Sequence, residues 1–187
     1  MHTRAVHAAF LVLSNTIDMN ELDNTKIAAS PLAAFRLAPR VVRGFIGGVA
    51  AIAIVGLLTK LTGLPLLIAP FGASSVLLFA APESGFAQPR NLVLGHLISA
   101  AIGLAVFWLA GNGVWAMAIA TGLAIAAMQL TRSVHPPAGA DPLVIMLSGT
   151  ASASFLLFPV LAGVVCLLVV AQAMNLAVRA MQYGGDD

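Results

Sequence analysis

The chain has 187 residues, of which 60% are Ala, Val, Ile, Leu, Met, Phe, Trp, Tyr or Cys before its 17 glycines are counted, and only 9% are charged. Soluble domains run at about 45–50% apolar with glycine included and about 25% charged. There is too little polar side chain here to cover a water-soluble surface, and collagen, coiled coil and disorder are excluded as well. The net charge of +2 comes from nine Lys and Arg at the ends of apolar runs, which is the placement of membrane topology signals and not of a nucleic-acid-binding patch. One cysteine, Cys166, excludes an internal disulfide and a Cys-based zinc site.

Residues 1–40 hold four of the nine basic and three of the seven acidic residues and read as a cytoplasmic lead segment. Its apolar stretch Ala8–Leu13 is short, lacks a small-x-small cleavage site and is followed closely by Asp18, Glu21 and Asp23, so it is not read as a signal peptide. A short helix lying against the protein or the membrane fits it. After Pro39 come six apolar elements: Val41–Thr59, Leu64–Ala81, Asn91–Ala110, Val114–Leu130, about Asp141–Ser148, and Phe155–Val178. The first, third, fourth and sixth approach the ~20 residues that cross ~30 Å of hydrocarbon. The second is interrupted by Pro65 and Pro70, and the fifth is short and preceded by His135-Pro136-Pro137. A tail, 181–187, closes the chain.

Charge asymmetry favours six crossings with both termini cytoplasmic. Arg4, Lys26, Arg36, Arg40, Arg43, Arg90, Arg132 and Arg179 then fall inside and only Lys60 outside. If the second and fifth elements were re-entrant, Lys60, Arg90 and Arg132 would all fall outside. Pro70-Phe71-Gly72-Ala73 recurs as Pro137-Ala138-Gly139-Ala140, 67 residues on, each copy before a short apolar element. Two units, 41–110 and 114–178, each read long span, broken element, long span. Three crossings per unit is odd, so the second enters from the opposite side, giving a 3+3 inverted repeat of the kind many transporters have. The expected fold is an all-α integral membrane protein with two half-helices.

Ser133–Pro142 carries the densest chemistry. Its three prolines cannot extend a regular helix, and non-helical backbone at membrane depth is tolerated only in protein or beside a wet cavity. Asp141-Pro142 reads as an N-cap and first-turn proline, and Ser74 and Ser75 suit the same role in the other half-helix. Half-helix N-termini offer free N–H groups and partial positive charge. Gly72 and Gly139, with Ala73 and Ala140, would let a small ligand approach the backbone. This is a recipe for a small-anion site; the plainer alternative is a tight turn and close helix packing.

His96 and His135 are the histidines beyond the lead segment. A histidine in a span is costly and usually functional, as ligand contact or proton relay. A structural bond to a freed backbone carbonyl is an equal reading for His96 and the favoured one for His135. Asp141 has a sufficient role as a cap; proton coupling is the sharper alternative. Arg90 and Arg132 read either as topology signals or as a basic vestibule that attracts an anion. Gln88-Pro89-Arg90-Asn91 looks like a helix start, and Trp108 and Trp115 flank an outer turn, Gly111-Asn112-Gly113. Gly44, Gly47 and Gly48 suit close packing. His96, His135 and Asp141 would bind a metal only if the fold gathered them, and no i,i+4 ligand pair supports that. No nucleophile elbow surrounds Ser74, Ser75 or Ser133. No enzyme activity, metal or cofactor is expected.

Several blocks in order, Phe71–Pro82, Ala87-Gln88-Pro89-Arg90-Asn91, Gly95-His96 and His135-Pro136-Pro137-Ala138-Gly139-Ala140, resemble the HPP family of integral membrane proteins, over about residues 36–180. Cyanobacterial and chloroplast members are linked with nitrite transport, so the resemblance implies a small-anion carrier or channel. The family is usually described with four spans, and it often has a neutral residue where this chain has Asp141. The expected function is transport of a small inorganic anion, nitrite foremost, by a multi-pass protein of the cell (inner) membrane. Its expected partners are the lipid bilayer and the anion, without nucleic acid. The glycine-rich faces allow a homo-oligomer. The alternatives are a non-transporting sensor that binds a partner through the lead segment, and an intramembrane metalloenzyme.

Overall fold

The structure, a computed structural model, describes residues 31–149 and 151–183. The Ala8–Leu13 stretch and residues 184–187 of the expected tail lie outside the described residues. Contacts divide the chain into Met1–Arg40 and Val41–Asp187. The described part of the first unit is the opening of one helix, and everything below concerns the second.

Among the described residues there are six α-helices: α1 (Pro31–Thr62), α2 (Pro70–Ala80), α3 (Pro89–Ala110), α4 (Val114–Leu130), α5 (Asp141–Ser148) and α6 (Ala162–Tyr183). Three apolar helical stretches, Pro39–Thr62, Pro89–Ala110 and Ala153–Ala180, are long enough to cross a membrane, and α2 and α4 are shorter apolar helices. Large apolar side chains face outward along this unit, among them Phe45, Leu61, Leu109, Trp115 and Leu130. That is the surface a bilayer accepts and water does not.

Proline sets where the helices begin. It occupies the first or second position of α2, α3 and α5, where its missing N–H has no intrahelical partner to lose. The second element is broken as its prolines imply: residues 63–69 are not helical, and α2 starts at Pro70, one turn earlier than a cap at Ser74 or Ser75 would place it. The sixth element also differs at its start. A 3-10 turn at Ala153–Leu156 and a kinked stretch at Leu157–Leu161, in which Phe158 is extended, precede α6.

Helix α3 is the axis of the unit. Its buried residues, Leu92, Gly95, His96, Ser99, Ala100, Gly103 and Leu104, recur every three or four positions, so they form one stripe along the helix. Gly95, Ser99 and Gly103 make a row of small residues along that stripe, and the segment after α4 runs along the row. A methyl group at Gly95 would lie 2.8 Å from His135 Cβ and 3.1 Å from the Ser133 carbonyl oxygen. Ser99 donates to the Ala138 carbonyl at 2.6 Å. A methyl at Gly103 would lie 2.8 Å from Pro142 Cα. Arg90 donates to the carbonyls of Thr131 and Arg132 at one end of α3. Trp108 donates to the Ala151 carbonyl at the other. Residues 131–149 therefore travel along α3 in its own direction, first as an irregular and 3-10 stretch and then as α5. Helix α4 packs against α3 and against α5 and buries Ala116, Ala120, Ala124 and Met128, one per turn, a small-residue seam of the kind that brings membrane helices close.

Helix α2 joins α3 through a short link, 81–88, and runs antiparallel to it. It packs against α1 where the Phe79 ring covers Gly47, and against the start of α6 where the Phe71 ring covers Gly163. Since α2 opposes α3 and α5 follows it, the two half-helices are antiparallel.

The small-residue row yields a stability prediction. Gly103→Ala forces a methyl against backbone that cannot swing away. It should cost about 1–3 kcal/mol, several degrees in Tm at this length, measured on purified protein in detergent. Gly122→Ala, on α4 with no atom within 4 Å of the new methyl, should be neutral or slightly stabilising, as expected for Ala over Gly in a helix.

Candidate functional site

Among the described residues of this unit, seven polar ones are buried: Ser74, Ser75, His96, Ser99, Ser133, His135 and Asp141. Four of them form one continuous chain. His135 Nδ1 donates to the Phe86 carbonyl at 2.8 Å. Its Nε2 faces Ser74 Oγ at 2.8 Å. The same hydroxyl faces His96 Nε2 at 3.0 Å. His96 Nδ1 then meets Asp141 Oδ2 at 2.7 Å. All four residues have zero relative exposure.

Each position follows from the local fold. Pro70 starts α2, so Ser74 falls one turn inside it. Pro89 starts α3, so His96 falls two turns in, on the buried stripe. Asp141 is the first residue of α5, put there by the 3-10 turn Pro136–Ala140. His96 thus reaches the first turn of one half-helix with one ring nitrogen and the first residue of the other half-helix with its second. The Phe71 ring stands edge-on to His96, with centroids 5.5 Å apart, and the His96 and His135 rings are 5.1 Å apart. One polar atom of the set has no partner: Asp141 Oδ1 is buried and unbonded. A buried lone acceptor of this kind is rare and calls for an explanation.

The sequence that builds this arrangement matches a known family. The transmembrane region of the HPP family matches residues 35–184. The chain belongs to that HPP transmembrane family. Two transmembrane proteins of Dictyostelium discoideum are similar to it, one 39% identical and the other 37% identical over 124 residues. Each match covers 63% of this chain, and 40% and 44% of the respective relative, so the chain spans less than half the length of these relatives. No solved structure matches it. With the family shown and three long apolar helices present, this HPP chain is a multi-pass membrane protein.

The expected site residues divide into those the fold gathers and those it does not. Ser74, His96, His135 and Asp141 are gathered. Gly72, Ala73, Gly139 and Ala140 lie in sequence beside them, and a methyl at Gly72 or Gly139 would meet nothing within 4 Å. These two glycines are therefore not required by packing. Gly72 opens on a groove of about 380 Å³ with Gly44, Gly48 and Ser75. Ala73 opens on another of about 420 Å³ with Pro136 and Pro137.

Three expectations about the half-helix ends need correction. Asp141 does not cap α5: the N-cap is Ala140, without a side-chain cap bond, because the Asp141 carboxyl is held by His96. Ser74 and Ser75 do not cap α2 either. The helix begins before them, and Ser75 instead bonds the Phe71 carbonyl one turn back. The ends are also not bare. Phe71 and Gly72 donate their N–H groups to the carbonyls of Ile68 and Ala69, and the Asp141 N–H goes to Ala138. In each case the preceding turn supplies the missing acceptor, so the polar capacity of the site lies in side chains.

Arg90 and Arg132 sit away from the four. The Arg90 guanidinium fastens the start of α3 to the end of α4, and Asn91 bonds the carbonyls of Gly85 and Val134 nearby. Arg132 is exposed with φ 53. The Arg132 N–H bonds Gln129 and the Ser133 N–H bonds Met128, a Schellman end whose left-handed position usually holds Gly. His96, His135 and Asp141 do meet, but their facing atoms point at Ser74 and at one another. No group of three His, Cys, Asp or Glu able to hold a metal occurs among the described residues.

Ser74–His96–Asp141 has the order and distances of a nucleophile triad. Here the hydroxyl is buried and also faces a second imidazole, that of His135. The contributions of Phe86, Gly95, Ser99 and Gly103 were not anticipated. The every-fourth spacing of Gly95, Ser99 and Gly103 was the available signal.

This geometry can be probed by substitution. Ser74→Ala leaves two buried imidazole nitrogens facing a methyl and should cost about 1–3 kcal/mol. Ser75→Ala loses only a bond within its own helix and should change Tm much less. Arg132→Gly relieves a left-handed side chain worth roughly 1–2 kcal/mol and should raise Tm by a few degrees; a fall would mean that the guanidinium contributes more than the strain costs.

Proposed function

We propose that this HPP chain moves a small inorganic anion, nitrite foremost, across the membrane, through six crossing elements arranged as a 3+3 inverted repeat with both termini cytoplasmic. The observation that carries the reading is the meeting of two antiparallel half-helices, which His96 bridges from Ser74 to Asp141. Both broken elements have the same order, a non-helical stretch and then a short helix, although the repeated Pro-x-Gly-Ala opens α2 in the first and forms the 3-10 turn before α5 in the second. Inverted repeats with discontinuous helices place substrate where such ends meet.

In the closed arrangement Ser74, His96 and His135 satisfy one another. Once the ends part, the same hydroxyl and imidazole N–H groups become donors for an anion. Gly72 and Gly139 leave space for it against the backbone. Arg132, exposed at the end of α4, adds positive potential on the way in. The membrane is proposed to be the cell (inner) membrane. The enclosed Ser74 hydroxyl supports a carrier or channel over a hydrolytic enzyme.

The test is nitrite uptake into proteoliposomes. Wild-type protein should exceed empty liposomes, and Gly139→Leu and Gly72→Leu should fall toward the empty level while Tm stays near wild type, since neither position has a close neighbour. Wild-type flux equal to that of empty liposomes would sink the reading.

A further inference from the structure

The chain Phe86 carbonyl–His135–Ser74–His96–Asp141 contains four short contacts in series, and each needs one hydrogen. The carbonyl cannot donate, so His135 Nδ1 carries a proton. Ser74 has one hydroxyl hydrogen and faces two imidazole Nε2 atoms. If it donates to His135, then His96 Nε2 must donate to Ser74; if it donates to His96, then His135 Nε2 must donate to it. In either case the contact between His96 Nδ1 and Asp141 Oδ2 needs a hydrogen of its own. The four contacts therefore hold four protons. Two neutral imidazoles, a hydroxyl and an ionised carboxylate supply three. One proton is in excess, and the set is electrically neutral.

With one proton fewer, two lone pairs would face each other at 2.7–3.0 Å in a fully buried place, a cost no nearby donor offsets. The unbonded Asp141 Oδ1 agrees with the count. As the carbonyl oxygen of a neutral acid it loses little by lacking a donor, whereas half of a carboxylate charge would lose much. Among the described residues, no Lys, Arg or Glu is bonded to the four. The neighbouring hydroxyls of Ser75 and Ser99 are committed to the Phe71 and Ala138 carbonyls, and Arg90 is committed to Thr131 and Arg132.

The excess proton has three positions with an unchanged number of bonds: on Asp141 Oδ2, on His96 Nδ1 as an imidazolium, or on His135. The last is reached when His96 Nε2 gives its proton to Ser74 Oγ as Ser74 passes its own to His135 Nε2. Only O–H and N–H bonds break and form, and no electrons leave the set.

We propose that Asp141, His96, Ser74 and His135 form a proton-binding relay, which takes up one proton from the side to which the half-helix ends are open, holds it while they are together and gives it up when they part toward the other side, so that proton and anion move in the same direction. The coupling rests on the transport reading above; the proton count does not.

The test has two arms. Nitrogen-15 NMR of the histidines, with infrared spectroscopy of the carboxyl groups, counts the protons on wild-type protein in nanodiscs at neutral pH. The expected result is either a protonated carboxyl band that Asp141→Asn removes, or one doubly protonated ring that becomes neutral in Asp141→Asn. The asparagine amide donates permanently to His96 Nδ1 and fills the fourth contact. Two singly protonated rings beside an ionised Asp141 overturn the proposal, and wild-type spectra alone decide this should the variant fail to fold. In the second arm, proteoliposomes carry a pH-sensitive dye inside. An acid exterior should speed wild-type nitrite uptake and acidify the lumen with it, and Asp141→Asn should lose this response whatever its residual flux. Nitrite uptake without proton entry overturns the coupling. No nitrite uptake at all overturns the anion reading, and the spectroscopic count then decides the proton site by itself.

Discussion

His96 holds the two broken elements of this protein together, and the reason lies in what hydrocarbon forbids. A backbone that leaves the helix at membrane depth frees N–H and C=O groups that lipid cannot satisfy. Each break here is answered by local turns and by side chains from α3 and its surroundings. Ser99 takes the Ala138 carbonyl, His135 takes the Phe86 carbonyl, and His96 ties Ser74 to Asp141. The row of Gly95, Ser99 and Gly103 makes this possible, since a larger side chain at any of them would hold the irregular segment away from the helix. The polar chain and the small-residue row are two halves of one solution: one brings the backbone close and the other satisfies it.

The same economy explains how an aspartate survives in such a place. An isolated buried carboxylate is costly, and two buried histidines add further demand for partners. Joined in series through one hydroxyl, the groups satisfy one another down to a single leftover atom, Asp141 Oδ1. Neutrality of the whole set matters more than the charge of any member. A neutral, internally bonded set is stable when shut and becomes a collection of unsatisfied donors and acceptors when pulled apart, which is the property a gate over an ion path needs.

Much of the architecture was legible because proline is explicit about where helices stop and start. Pro65, Pro70, Pro89 and the 136–142 cluster located both broken elements and the start of α3. The helix beginning at Asp141 followed from Asp141-Pro142. What could not be read was register between elements distant in sequence. Asp141 looked like a cap because nothing local showed that His96, 45 residues earlier, would claim its carboxyl. Ser74 looked like a cap because the helix start at Pro70 is decided by one proline among two. His135 was read from its setting alone as a group that bonds a freed carbonyl, and it does so through Nδ1; its other nitrogen, facing Ser74, depended on a partner 61 residues away. Local chemistry was readable, and pairings across the bundle were not.

The antiparallel half-helices give the relay its directional consequence. Residues 131–149 follow α3 from Arg90 toward Trp108, while α2 runs the opposite way. A movement of α5 along α3 changes the distance from Asp141 to His96, and a movement of α2 changes the distance from Ser74 to the same ring. The first requires the Ser99 bond to the Ala138 carbonyl and the close contacts at Gly95 and Gly103 to give way together, and the open space beside Gly72 allows room for the second. The His96 ring therefore senses both halves through different nitrogens. Breaking the bond on its Nδ1 side leaves Asp141 without a partner. Breaking the bond on its Nε2 side isolates Ser74 and His135 as a pair. Parting on the Nδ1 side leaves the excess proton on Asp141 alone, whereas parting on the Nε2 side leaves it shared between Asp141 and His96, and a proposed relay needs such an asymmetry in order to take up a proton on one face of the membrane and give it up on the other.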